Sequence, residues 1–312
     1  MIKYGGKEYF PMKNTVSNII NVILIFAIAM LAITPIESPV TNKGVRWMSA
    51  LEDETAVNEL SIPGTHDSGA THSIADVAGK CQSLSIEDQL YIGVRFFDIR
   101  LQLVGDDFNV VHSFVDQDTD FDDVLEDMVE FITENPTEFL IVSIKKDADS
   151  KKPEGDFTHL LEAELKEYSR ISTSTTLPRT VGEARGKIYI ISRYEGSTMG
   201  IPAYHGWEDS TSFELGELYV QDNYRVDSAE EKIADIESTM AVADRCTYGL
   251  VLNFTSCYLT SGFPPSYAAT PAREINPWLL ERLNKEGRPQ GVLVCDFITS
   301  DLVKAIWEVN FR

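Results

Sequence analysis

The feature that most limits what this chain can fold into is a recurring alternation. Short runs rich in β-branched and aromatic residues end in polar residues, and longer stretches with helical spacing follow several of them. Beyond residue 47 the runs fall at 57–62, 94–101, 109–112, 139–145, 187–193, 217–221, 250–254 and 292–297. Several are apolar on both faces, as in Phe139-Leu140-Ile141-Val142. Strands covered on both sides read this way, and parallel sheets are built from them. Between the runs, residues 122–133 set Val124, Leu125, Met128, Val129 and Ile132 at helical spacing and stop at Asn135-Pro136. Residues 157–168 do the same with Leu160, Leu161 and Leu165, and residues 228–242 open with Ser228 and an acidic first turn suited to a helix start. Strand–helix alternation defines an α/β fold. Eight strands predict an irregular (β/α)8 TIM-type barrel forming a single domain over residues 47–312. The irregularity is expected at 101–109, a connection too short for a helix that carries Gly105-Asp106-Asp107, a turn signal.

Residues 1–40 stand apart. Lys3, Lys7 and Lys13 precede an apolar run at 19–33, broken only by Asn21 and followed by Thr34, Pro35 and Pro39. Basic, then apolar, then a breaker is the order of a secretory signal. The run is shorter than the ~20 residues that comfortably span a bilayer. No clean A-x-A cleavage site is present, since Ala27-Ile28-Ala29 lies inside the run. An uncleaved N-terminal membrane anchor is therefore the second reading. Both expect a secreted or extracellular domain, in the second case tethered by its N-terminal segment.

The 49 acidic residues outnumber 27 basic ones, for a formal net charge of -22 over 312 residues. A nucleic-acid partner, which requires a basic footprint, is not expected. Nor is tight electrostatic docking on an anionic membrane. Cys81, Cys246, Cys257 and Cys295 show no CxxC or Cys/His spacing, so a zinc site is not expected from them. Cys295 lies inside an apolar run and reads as a small hydrophobe. Cys246 and Cys257 can pair if their segments meet.

In a barrel of this kind, active sites lie at the C-terminal ends of the strands. Those ends carry, in order, Pro63-Gly64-Thr65-His66-Asp67-Ser68, Asp98-Ile99-Arg100, His112, Lys145-Lys146, Arg193, Gln221-Asp222 with Tyr224 close behind, Asn253 with Thr255 and Ser256, and Asp296. Side chains alternate along a strand, so Asp98 and Arg100 share one face. Histidines, cations and carboxylates then converge on one mouth, a set suited to acid–base chemistry on an anionic substrate. A lone His or Arg at a strand end is usually structural; the ordered set is what points to function. His72, His159 and His205 have no comparable setting and read as surface or core. Position alone does not name the reaction.

The motifs resemble a known family. Leu60-Ser61-Ile62-Pro63-Gly64-Thr65-His66-Asp67-Ser68 resembles the opening signature of the X-type catalytic domain of phosphatidylinositol-specific phospholipase C. Gly93-Val94-Arg95-Phe96-Phe97-Asp98-Ile99-Arg100 resembles its second block, and Val110-Val111-His112 its second histidine. Ile141-Val142-Ser143-Ile144-Lys145-Lys146, the run 187–194, Val220-Gln221-Asp222-Asn223-Tyr224 and Gly291-Val292-Leu293-Val294-Cys295-Asp296-Phe297 fit the later strands. The similarity runs from about Trp47 to the C-terminus. Calcium-dependent members place a carboxylate where this chain has Arg100. A guanidinium there can offset phosphate charge without a metal, so the resemblance implies the bacterial metal-independent type, with no metal and no cofactor.

The resemblance implies cleavage of phosphatidylinositol to diacylglycerol and 1D-myo-inositol 1,2-cyclic phosphate, the inositol 2-hydroxyl attacking phosphorus. His66 would be the general base, with Asp296 fixing its tautomer. His112 would be the general acid, with Asp67 supporting it, and Arg100 would hold the phosphate. Lys145, Arg193 and Asp222 would bind inositol hydroxyls, Tyr224 would stack on the ring, and Asp98 would brace the site. Alternation lets only one of Lys145 and Lys146 face inward. The expected partner is phosphatidylinositol or a glycosylated inositol lipid in a membrane, acted on by a monomer. Aromatic residues in the loop Gly262-Phe263-Pro264-Pro265-Ser266-Tyr267, and Trp207, suit either a lipid interface or packing on the barrel rim. Two alternatives stay open. A metal-dependent glycerophosphodiester phosphodiesterase is also a barrel, but typically shows a His-Arg opening where this chain has His66-Asp67. A non-catalytic barrel binding an inositol phosphate or glycolipid is opposed by the complete set of candidate residues.

Overall fold

A computed structural model describes residues 46–72, 79–113, 115–261, 266–285 and 287–312. The chain separates into Met1–Ser38 and Pro39–Arg312, and every described residue belongs to the second unit. The expected export segment at 1–40 and positions 262–265 of the aromatic loop lie outside the described residues. Among the described residues no helix is long and apolar enough to cross a membrane.

In chain order the strands are β1 (Ser61–Thr65), β2 (Phe96–Val104), β3 (Asp107–His112), β4 (Val115–Asp120), β5 (Leu140–Lys146), β6 (Ile171–Ser172), β7 (Ile188–Arg193), β8 (Ile201–Pro202), β9 (Ser212–Leu215), β10 (Leu218–Gln221), β11 (Arg225–Val226), β12 (Leu250–Phe254), β13 (Tyr258–Leu259) and β14 (Gly291–Cys295). The helices are α1 (Ile86–Ile92), α2 (Phe121–Glu134), α3 (Phe157–Glu167), α4 (Val181–Ala184), α5 (Ala229–Ala243), α6 (Ala269–Leu283) and α7 (Ser300–Glu308).

The main sheet runs β6-β7-β5-β2-β1-β14-β12-β10-β9. Pairing is parallel from β6 to β10, and β9 returns antiparallel on β10. The first and last strands lie side by side, with Ser61 opposite Gly291 and Thr65 opposite Cys295. This brings the two ends of the domain together and curls the sheet. Among the described residues no ladder joins β10 or β9 to β7 and its short partners. The result is the irregular (β/α)8 TIM-type barrel the alternation implied, incompletely closed.

Two strands differ from expectation. The run at 109–112 is not a barrel strand: β3 folds back antiparallel on β2, pairing Leu101 with Val110 and Val104 with Asp107. Gly105 makes the turn at φ 70°. A parallel neighbour needs a crossover connection, which this stretch is too short to provide. β5 therefore takes the place beside β2. The run at 57–62 also starts late, because Val57–Glu59 forms a 3-10 turn and the strand continues through Pro63 and Gly64. Gly64 is needed there: a Cβ would stand 3.0 Å from the Phe96 ring.

The helices follow their patterns. Val124, Leu125, Met128 and Ile132 are buried along α2, together with Phe121 and Phe131. Ser228 caps α5, accepting the Glu231 N–H. Phe96, Phe97, Ile99 and Leu101 are fully buried on both faces of β2, each worth about 1.5–3 kcal/mol of hydrophobic stabilisation. All four cysteines are free, so Cys246 and Cys257 do not pair, and Cys295 is fully buried.

Candidate active site

The turn after β1 aims two site residues at once. Asp67 adopts φ 46°, a left-handed conformation that Asp tolerates better than most residues. The turn is fastened to β2: Ser68 N–H donates to the Asp98 carbonyl at 2.8 Å, and Asp98 N–H to Ser68 Oγ at 2.8 Å. Gln82 Nε2 donates to the carbonyls of both His66 and Cys295, each at 2.8 Å, tying β1 to the end of β14. His66 and Asp67 thereby flank Arg100.

His66 Nδ1 lies 2.8 Å from Asp296 Oδ1, and His66 Nε2 lies 2.7 Å from Arg100 Nη2. A guanidinium only donates. Nε2 is therefore the acceptor, and Nδ1 carries the hydrogen given to Asp296. Arg100 also contacts Asp98 Oδ2 at 3.2 Å and Asp67 Oδ2 at 3.2 Å, with Asp147 Oδ1 at 3.9 Å. His112 Nε2 lies 3.3 Å from Asp67 Oδ2. Asp98 Oδ1 accepts from Arg193 Nη1 at 3.2 Å and Ser143 Oγ at 3.3 Å, so Asp98 binds both arginines beneath the site.

These neighbours set the charges. Burial pushes the Asp98 carboxyl up, but Arg100 and then Arg193 outweigh it and hold Asp98 well below the usual carboxylate range. Burial likewise opposes Asp147, yet Arg100 and Lys145 bring it down to about 2. For His66, burial disfavours the charged ring, and the Asp296 carboxylate overcomes that, so its pKa is raised. For His112 burial prevails over Asp67 and the pKa is lowered. Asp67 itself is raised, because burial outweighs Arg100 and His112.

Above this network opens a cavity of about 640 Å³, lined in part by His66, Arg100, His112, Lys145, Arg193, Asp222, Tyr224 and Asp296. Asp67 and Asp98 are buried next to it. All ten expected site residues thus meet at one mouth. Of the paired lysines, Lys145 Nζ bonds Asp147 at 2.5 Å, whereas Lys146 Nζ sits 5.3 Å from the Phe157 ring centroid. Lys145 belongs to the site's charge network.

Two further residues contact the site's charged groups. Asp147 joins Arg100 and Lys145, and its Oδ2 accepts the Ser113 N–H at 2.7 Å, holding the end of β3 and hence His112 in place. Alternation past the end of β5 sets Asp147 on the Lys145 face, a signal the sequence contains. Trp207 lies under Arg193, with Cζ 3.6 Å from the ring centroid, and its Nε1 donates to Asp222 Oδ2 at 3.1 Å. This places Trp207 within the pocket wall. Cys81 also lines the cavity, from a segment with no periodicity that would place it.

A (β/α)8 barrel whose mouth sets two histidine–carboxylate pairs about an arginine is an acid–base site for an anionic substrate. The model of the phosphatidylinositol-specific phospholipase C X domain matches residues 60–194. The 1-phosphatidylinositol phosphodiesterase of Staphylococcus aureus (strain Newman) is 30% identical over 282 residues, covering 80% of this chain and 87% of the relative. The Listeria monocytogenes 1-phosphatidylinositol phosphodiesterase is 29% identical over 288 residues, 88% of this chain and 87% of that one. A solved S. aureus phosphatidylinositol-specific phospholipase C carrying pentafluoro-Phe superposes with TM-score 0.76 at 25% identity, over 86% of this chain and 99% of that one. The L. monocytogenes structure gives 0.69 at 26% identity, over 86% and 98%. The chain belongs to the phosphatidylinositol-specific phospholipase C family.

Proposed function

We propose that this protein is a phosphatidylinositol phosphodiesterase that cleaves its substrate to diacylglycerol and 1D-myo-inositol 1,2-cyclic phosphate. One observation carries the mechanism: the Arg100 guanidinium lies between the His66–Asp296 pair and the Asp67–His112 pair. The substrate phosphate draws Arg100 onto its non-bridging oxygens and frees His66 Nε2. That nitrogen takes the proton of the inositol 2-hydroxyl as its oxygen attacks phosphorus. Asp296 stabilises the resulting imidazolium. His112 Nε2 delivers a proton to the diacylglycerol oxygen as the P–O bond breaks. Arg100 is always charged and stabilises the negative charge that builds on phosphorus in a partly dehydrated site. No metal ion or cofactor enters this scheme.

Inositol is a ring of hydroxyls, and each one buried without a partner costs about 1–3 kcal/mol. Asp222, Arg193 and Lys145 line the cavity with acceptors and donors, and Tyr224 offers a ring face. A second groove shares Lys146, Asp147 and Tyr204 with the cavity and continues past Asp149, Asp156 and Glu195. A sugar joined to the inositol fits along it, so glycosylated inositol lipids fall within the proposed substrate range. Tyr204 and Tyr267, both 45% exposed at the mouth, suit contact with a lipid surface that a chain of net charge -22 does not seek electrostatically. The N-terminal basic-apolar order supports export or tethering outside the cytoplasm. One chain supplies every group of the mechanism, in keeping with a monomer.

The test is phosphorus NMR of the full-length protein with phosphatidylinositol in detergent micelles and excess chelator. A cyclic inositol phosphate signal is expected, and its loss in His66→Ala and in His112→Ala. Product that appears only on adding calcium would overturn the role given to Arg100.

A further inference from the structure

We propose that Asp67, Cys81 and His112 form a capture site for a soft divalent cation of the zinc class, and that filling it switches the active site off. The inhibitory consequence rests on the reading of His112 as general acid. Cys81 lies at the cavity wall but has no part in the proposed proton transfers. Its thiol is the shared corner of two groups of metal-ligating atoms, each group lying within 4.8 Å: His66 with Asp296, and Asp67 with His112.

The two groups are not equivalent. His66 and Asp296 hold each other in a 2.8 Å hydrogen bond, and Arg100 covers the other ring nitrogen at 2.7 Å. A cation would have to break both contacts. Asp67 Oδ2 and His112 Nε2 stand 3.3 Å apart. Tetrahedral zinc with bonds of about 2.0–2.1 Å has ligand–ligand edges of roughly 3.3–3.4 Å, so this edge is already set. Asp67 is 1% exposed, and its Oδ2 accepts no hydrogen bond. The opposing charge is Arg100 Nη1, 3.2 Å from that oxygen. Arg100 is itself shared with Asp98 and Asp147, so its charge is not committed to Asp67 alone. The Cys81 sulfur adds the soft ligand that selects zinc over magnesium or calcium. Three protein ligands leave a fourth position for water or a phosphate oxygen.

Binding releases the thiol proton to solvent and requires neutral His112. With Nε2 bonded to the cation, His112 has no proton for the leaving oxygen, and turnover stops. The experiment titrates zinc chloride into the full-length protein acting on phosphatidylinositol micelles, for wild type, Cys81→Ser and Cys81→Ala, in chelator-free buffer. Both variants should keep basal turnover. Wild type should be inhibited and recover on adding chelator. In the variants the inhibiting concentration should rise by at least the about 10–100-fold typical of losing even an outer-shell partner of a metal site. Cobalt(II) gives a readout independent of turnover: a thiolate-to-cobalt charge-transfer band in wild type, absent in both variants. Equal zinc sensitivity in all three proteins, or no thiolate band in wild type, would overturn the proposal. A band confined to wild type in a protein that never cleaves phosphatidylinositol would uphold the site and reject the enzymatic reading instead.

Discussion

Arg100 Nη2 sits 2.7 Å from His66 Nε2, on the nitrogen the mechanism needs as base. In the proposed mechanism the guanidinium blocks the base until a phosphate draws it away, which would couple phosphate binding to base release. Lys at this position retains one positive charge but cannot reach His66, Asp67 and Asp98 together. Arg100→Lys is expected to lower kcat by about 10²–10³-fold, the usual cost of losing one transition-state donor. Calcium should not restore it. A steady-state assay with and without calcium decides this, and near wild-type kcat in the variant would refute the assignment.

The pH profile tests the His66–Asp296 pair. Burial works against the charged imidazole, and the Asp296 carboxylate more than offsets it, so the His66 pKa lies above 6.5. A base must be unprotonated to act, so the acid limb of kcat/KM should lie above pH ~6.5. Asp296→Asn removes the offsetting charge and leaves burial and Arg100 to lower the pKa. The limb should move to lower pH while the plateau falls by up to about 10⁴-fold, as when a catalytic His loses its carboxylate. An acid limb that stays in place would show that Asp296 does not tune His66.

Asp98 is a stability residue as much as a site residue. It is fully buried and bonded to Arg100 and Arg193. Asp98→Asn leaves two buried cations short of a counter-charge, which typically costs about 3–5 kcal/mol. The folded pKa is depressed, so the carboxylate's contribution is full above its unfolded value of ~3.9 and is lost as pH falls toward the folded value. Chemical denaturation between pH 2 and 6 should therefore show a steeper acid loss in wild type than in Asp98→Asn. Parallel curves would contradict this.

Trp207 joins Arg193 and Asp222, two of the residues proposed to bind inositol hydroxyls, without contacting His66, Arg100 or His112. Its ring supports Arg193, and its N–H holds Asp222. A desolvated cation–π contact is worth up to about 2 kcal/mol. Trp207→Ala is expected to raise KM by roughly tenfold with kcat nearly unchanged, whereas Trp207→Phe should recover part of the loss. A fall in kcat at constant KM would place Trp207 in the chemistry instead.

How much of this was legible in the sequence differs by residue. Strand-end position placed His66, Arg100, His112, Arg193 and Asp296 together, because a parallel barrel sends every C-terminal strand end to one face. His112 reached that face although β3 is not a barrel strand. The hairpin carries it back, and the Asp147 contact with Ser113 N–H holds it. Pairing of Lys145 and Lys146 left the inward residue open, since strand ends can twist; both border the cavity, and the Lys145–Asp147 contact ties Lys145 into the charge network. The places of Cys81 at the cavity wall and of Trp207 under Arg193 were not readable because both come from segments without periodicity, and their positions depend on tertiary contacts to Ala70, Phe297, Arg193 and Asp222.

Lys232 supports the substrate end of the site from behind. It is fully buried on α5, and its ammonium donates to Gln221 Oε1 at 2.7 Å and the Asn223 carbonyl at 2.6 Å. These residues bracket Asp222 and lead into Tyr224. Burial lowers the Lys232 pKa to about 8, with Cys257, Asp222, Asp235 and Asp296 opposing it. The unfolded value is ~10.4, so between about 8 and 10.4 the unfolded chain binds more protons and stability rises with pH. Lys232→Met cannot titrate and should lose that rise, worth on the order of 3 kcal/mol across the window. It also frees the Gln221 and Asn223 acceptors, so KM should increase as Asp222 and Tyr224 shift. Urea unfolding at pH 7.5 and 10, beside kcat and KM at each pH, separates the effects. A wild-type and mutant stability difference that is the same at both pH values would show that Lys232 keeps an ordinary pKa and holds its place by shape alone.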